Sequence, residues 1–202
     1  VNYACHPVSL NHASNVVSTD FPGFAAEVLK EAWGGEIMYF SGASGNSDPC
    51  DSLSRLASYA EQKGYQLGND IKDIEFTPVK DNGAFKLVSK EIHLPFAADT
   101  ITVELIEKHV EEIIQWEGVS NTWPKDVKYW ASYTVEDIKN GLVKNYLPFN
   151  IHALNIGGVV LFFTQGEPFM EYQTALREAF PENHVMFFAY TNGQNSYLPS
   201  KE

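Results

Sequence analysis

Short apolar runs alternate along the chain with longer stretches of helical period. Residues 2–5 read as the end of a strand, and 37–40 as a short apolar strand. Between them, Asp20 supplies a cap and Pro22 a first helical position. The helix they predict runs to about Trp33, with Phe24, Val28 and Ala32 on one face, and Gly34-Gly35 stops it. A loop of small residues occupies 41–49. Asp48-Pro49 repeats the cap-and-proline signal and predicts a second helix over 50–64, with Leu53, Leu56, Ala57 and Ala60 as its apolar stripe. Residues 74–97 alternate and predict antiparallel strands around the turn Asp81-Asn82-Gly83. The period of 102–117 predicts an amphipathic helix with Ile106, Val110 and Ile113 inward, and 124–146 carry a weaker helical pattern. Gly157-Gly158 separates apolar runs at 150–155 and 159–164, as in a hairpin. A helix over 168–180 and an apolar strand at 185–190 complete the order.

This alternation predicts an α/β protein, a layered sandwich in which helices pack on a mixed sheet that is antiparallel where the hairpins lie. No repeat, low-complexity tract or linker interrupts it. Residues 1–202 therefore read as a single domain, with 70–148 as a candidate inserted subdomain. The chain opens inside a strand and stops after a loop, so it reads as a piece of a longer protein.

Composition narrows the function. At 202 residues and 44% hydrophobic, the chain is large enough to bury roughly 70% of its unfolded surface in a core. Its 26 acidic and 14 basic residues give a net charge of −12, which argues against a nucleic-acid partner and against docking on anionic lipid by charge. No apolar run reaches the roughly 20 residues of a membrane helix, and the longest, 156–163, is of strand length. Two cysteines, Cys5 and Cys50, permit one disulfide at most and exclude a four-cysteine zinc site. The compartment stays open between cytoplasmic and secreted.

Four polar loops follow apolar strands, at 5–10, 41–49, 165–168 and 191–199, where open α/β sheets place their sites. A histidine, a glutamate and a tyrosine from three of them would offer zinc nitrogen and oxygen ligands. HExxH, the GxSxG elbow, the Walker A loop and CxxC are all absent, and Gly42-Ala43-Ser44-Gly45 is one residue short of an elbow. A simple serine hydrolase is thereby disfavoured. On the residues alone each candidate has two readings. His6 is a buried hydrogen-bonded histidine or a ligand, Glu167 a helix N-terminal carboxylate or a ligand, and Tyr197 a packed aromatic or a group at the metal. Asp48 is a helix cap or a catalytic acid or base. The 41–47 loop is a tight turn or an anion cradle.

Residues 6–23, HPVSLNHASNVVSTDFPG, resemble the second histidine motif of the neutral, non-lysosomal ceramidase family. Further blocks follow in that family's order. Gly45-Asn46-Ser47-Asp48-Pro49 resembles its glycine-rich active-site loop, Gly166-Glu167-Pro168 its Pro-Gly-Glu segment, and 192–199 its Asn-rich turn ending in tyrosine. The likeness covers about half of the chain and leaves 70–145 unmatched. It implies a piece of a zinc-dependent catalytic domain that hydrolyses the amide of an N-acyl sphingoid lipid. It implies His6, Glu167 and Tyr197 as metal ligands, Tyr197 and Asp48 at the catalytic positions, and Asp20 as a group supporting a ligand. Phe21, Phe169 and Leu198 become candidate walls of an acyl pocket. Two departures stand out. The family's other zinc histidine lies upstream of the matched blocks, and none of His12, His93, His109, His152 or His184 sits in a matching motif, so the site is expected to be incomplete and its zinc weak or missing. Asp48 stands where the family has serine, which opens two alternatives: an inactive binding or structural module, and a zinc hydrolase of a non-lipid amide or ester.

Overall fold

The structure, a computed structural model, describes residues 1–10, 17–50, 56–96, 100–115, 123–193 and 196–200. It has an α/β fold with helices and a mixed four-stranded sheet. The chain divides into two compact units, Val1–Lys90 with Asn150–Glu202, and Glu91–Phe149.

In the first unit, β1 (Asn2–Tyr3) pairs in parallel with β2 (Phe40–Ser41). Between them runs α1 (Asp20–Trp33). Its buried stripe is Phe21, Ala25 and Leu29, one position ahead of the expected face; Phe24 and Val28 are half-buried and Ala32 is exposed. The shift has a cause. Phe24 and Val28 face a second helix, α2 (Ala57–Ile71), while Phe21 turns to the rings of Tyr3 and Tyr39.

The second helix departs from expectation at both ends. Asp48-Pro49 does not cap it; α2 begins at Ala57, Leu56 is exposed, and Leu53 lies outside the described residues. Gly64 does not end it either. Ala60, Gly64 and Gly68, at four-residue spacing, form the buried seam of α2. A side chain at Gly64 would meet the Phe21 carbonyl and the Phe24 side chain, so the glycine serves close approach to α1. The indole N–H of Trp33 donates to the Lys72 carbonyl at 2.7 Å and ties the two helix ends together.

The expected hairpin at 74–97 is a single strand, β3 (Phe85–Pro95). Asp81 and Asn82 accept from the amides of Gly83 and Ala84 with their side chains, which turns the backbone locally without a first arm. β4 (Tyr146–Ile156) and β5 (Val159–Thr164) form the hairpin at Gly157-Gly158, whose φ values of 59° and 97° a side chain would resist. The chain then crosses through β6 (Glu167–Pro168) and α5 (Met170–Ala179) to β7 (His184–Phe188), which lies parallel to β5. The sheet order is β3-β4-β5-β7. Phe162 stacks on Phe187 and Phe163 on Phe188 along the parallel pair. Finally β8 (Tyr197–Leu198) pairs in parallel with β6.

In the second unit, α3 (Val103–Gln115) packs against α4 (Trp123–Lys139). Ile106 is buried and Val110 and Ile113 half-buried, the expected inward set. The helix expected over 124–146 stops at Lys139, where Gly141 takes φ 68° and the Leu142 amide returns to the Asp137 carbonyl. Among the described residues, no helix is long and apolar enough to cross a membrane.

Candidate functional site

The site forms where the loops after β1, β2, β5 and β7 are stitched together by backbone hydrogen bonds. The His6 amide donates to the Ser47 carbonyl at 2.8 Å. The Gly45 amide donates to the Pro168 carbonyl at 2.9 Å, and a side chain at Gly45 would collide with the Glu167 carbonyl. Gly166, at φ 67°, takes the Gly193 carbonyl, and Glu167 that of Ser196, both at 2.9 Å. Glu167 belongs to β6 rather than to the first turn of a helix. α5 is instead capped from another loop: Asn46 Oδ1 accepts from the Met170 amide at 2.8 Å.

In the parallel β6–β8 pair, Glu167 stands directly opposite Tyr197. Register therefore sets those two side chains next to each other. His6 completes the group. Its Nε2 is 3.3 Å from Glu167 Oε2, both side chains are nearly buried, and its ring centroid is 6.0 Å from that of Tyr197. That contact lies off hydrogen-bond geometry, so Nε2 is a buried polar atom hydrogen-bonded to nothing. The other ring nitrogen, Nδ1, is 3.1 Å from the Tyr190 hydroxyl.

Two phenols reach Glu167. Burial first, then the Glu167 hydrogen bond and charge, push Tyr197 up to about 12, with a smaller push from Asp48. Burial and Glu167 likewise hold the Tyr190 phenol far above the ordinary tyrosine value, and Ser44 lies beside it. Both tyrosines thus present O–H groups at neutral pH, and Glu167 accepts from them.

Three of the expected residues, His6, Glu167 and Tyr197, come together. Asp48 is exposed, on the loop that holds the His6 backbone, and acts on Tyr197 through its charge. Asp20 works on the loop rather than on the histidine ring. Its carboxylate accepts from the amides of Ser9 at 3.1 Å, Leu10 at 2.9 Å and Phe21 at 2.7 Å, clamping the segment after His6 onto the start of α1. Asp20 itself sits at φ 53°. The candidate acyl residues divide. Phe21 lines a cavity of about 200 Å³ with Tyr3, Cys5, Cys50 and Leu67, whereas Leu198 belongs to β8 and its carbonyl accepts from the amide of Phe169, just after β6, at 3.1 Å.

The other described histidines lie elsewhere. His152 bonds Ser89 and approaches Asn192, His93 stacks on Tyr146, His109 faces Glu112, and His184 is exposed. His12 lies outside the described residues. Among the described residues no three His, Cys, Asp or Glu side chains gather as a metal cluster. The donor set is one imidazole, one carboxylate and a phenol, and the buried, unbonded Nε2 facing a carboxylate oxygen suits a nitrogen- and oxygen-loving cation such as zinc. Tyr190 is the residue that the sequence reading passed over. Its signal was its place at the end of the last apolar strand, seven residues before Tyr197. Comparison with protein-family models, curated proteins and solved structures finds no match to the chain.

Proposed function

We propose that this chain carries part of the centre of a zinc-dependent hydrolase that cleaves an N-acyl amide of ceramide type. One observation carries the reading most of the weight: His6 Nε2, buried and without a hydrogen bond, faces Glu167 Oε2 at 3.3 Å beside Tyr197. A buried ring nitrogen left in this way is costly unless something else takes its lone pair. The likeness of residues 6–23 and of the three later blocks to neutral ceramidases supplies the reaction class.

When bound, zinc lowers the pKa of a water and polarises the substrate carbonyl. The chain's own residues hold and tune the site. His6 would offer Nε2, Glu167 an oxygen, and Tyr197 its phenol oxygen. The histidine that completes the family's set is not among the other described histidines, which are engaged or positioned elsewhere. Asp20 keeps the His6 loop in place through backbone amides. Asp48 favours a second reading, hydrolysis of a more polar amide or ester, because its exposed carboxylate suits a polar or cationic group better than a lipid chain.

Calorimetric zinc titration tests the metal claim. His6→Ala and Glu167→Ala are each expected to weaken zinc binding at least tenfold, and to abolish any turnover of an N-acyl sphingoid amide. Zinc retained at full affinity by both variants would sink the assignment. Turnover confined to short polar amides would favour the second reading.

A further inference from the structure

We infer that Tyr190 is a positioning residue that fixes the tautomer of His6 and so turns the Nε2 lone pair toward Glu167; the inference rests on the reading of His6 as a metal ligand. A neutral imidazole has one N–H and one lone pair. Nε2 is buried and its 3.3 Å approach to Glu167 Oε2 lies off hydrogen-bond geometry, so a hydrogen there would lack an in-line acceptor, whereas Nδ1 has one in the Tyr190 oxygen. The hydrogen therefore belongs on Nδ1, which is 3.1 Å from the Tyr190 hydroxyl and donates to its oxygen. The Tyr190 O–H is then free to donate onward to Glu167, which it reaches. One phenol thus connects the two groups that would hold the cation. Metal-bound histidines commonly donate the second ring N–H to a neighbouring oxygen, which sets ring orientation and basicity. Here a tyrosine fills that place.

The backbone at Tyr190 supports an assigned role rather than an incidental contact. Tyr190 takes φ 57°, in the left-handed region that an aromatic residue enters at a cost. It is held there from both sides. Its own amide donates to the Gly166 carbonyl at 3.1 Å, the Ala189 amide to Ser41 at 3.1 Å and the Thr191 amide to Thr164 at 2.8 Å. Those acceptors lie at the end of β5, on Gly166 beside Glu167 and at the start of the 41–49 segment, so the backbone of Tyr190 is held by the same framework that builds the site.

The test is long-range nitrogen-15 NMR of the histidine rings in metal-free protein at about pH 8, above the ordinary imidazole range. The His6 signals are assigned by their loss in His6→Gln. Wild-type protein is expected to show His6 as the Nδ1–H tautomer, and Tyr190→Phe, which keeps the ring and removes the hydroxyl, to shift it toward Nε2–H. Zinc affinity in Tyr190→Phe is expected to fall about 10–100-fold. A wild-type His6 already protonated at Nε2 would overturn the proposal, and so would an unchanged tautomer in a folded Tyr190→Phe. The wild-type spectrum alone decides if that variant does not fold. Failure of the zinc reading is separate: His6→Ala would bind zinc as wild type does, while the tautomer remained legible without metal.

Discussion

Cys5 and Cys50 line the same cavity in opposite circumstances. Cys5 is buried, and burial pushes its thiol up to about 11, with further pushes from the charges of Asp48 and Asp20. Cys50 is exposed. Because the folded value of Cys5 is raised above its value in an unfolded chain, the stability that its protonated form contributes is complete below about pH 9. It is lost as pH rises through about 11. Limited alkylation with iodoacetamide at about pH 8, followed by mass spectrometry, should label Cys50 well before Cys5. Equal labelling rates in folded protein would contradict the buried placement. The same loop explains why Asp20 could not be understood from the sequence. Its motif is visible there, but a cap and a ligand support look alike until the amides of Ser9 and Leu10 are seen on its carboxylate.

Among elements, legibility followed local chemistry. α1 was readable because an aspartate, a proline and two glycines mark its ends within the segment itself. The β4–β5 hairpin was readable for the same reason, since Gly157 and Gly158 both need positive φ. α2 was not, because its glycines act through a neighbour: Gly64 looks like a stop in one dimension, and with Gly68 it is a packing seam in three. Gly64→Ala measures this. Helix propensity alone favours the alanine by about 1 kcal/mol. The collision with the Phe21 backbone should reverse the sign and cost about 1–3 kcal/mol in chemical denaturation. Ser58→Ala, exposed on the same helix, should change stability by less than about 0.5 kcal/mol. A stabilised Gly64→Ala would mean that the helices do not approach as described.

At the scale of the molecule, the site is a product of topology. His6 follows β1, Glu167 lies on β6 and Tyr197 on β8, more than a hundred residues from the first to the second. No spacing rule connects them. The motif likeness named three of the residues, but not the parallel register that sets Glu167 against Tyr197 or the hydrogen bond between His6 and Tyr190. The net charge of −12 suits attraction of a cation better than of a polyanion, and carboxylates stand in and around the site: Glu167 within it, Asp48 on its loop and Asp20 behind the His6 segment. The central claim is that His6 Nε2 and Glu167 share a zinc ion. Anomalous X-ray diffraction at the zinc edge, on crystals of the protein grown with zinc, reads this directly. A peak about 2.0–2.2 Å from both His6 Nε2 and a Glu167 oxygen is the predicted result. A zinc-loaded crystal whose peak lies elsewhere, with His6 Nε2 hydrogen-bonded to Glu167, would contradict it.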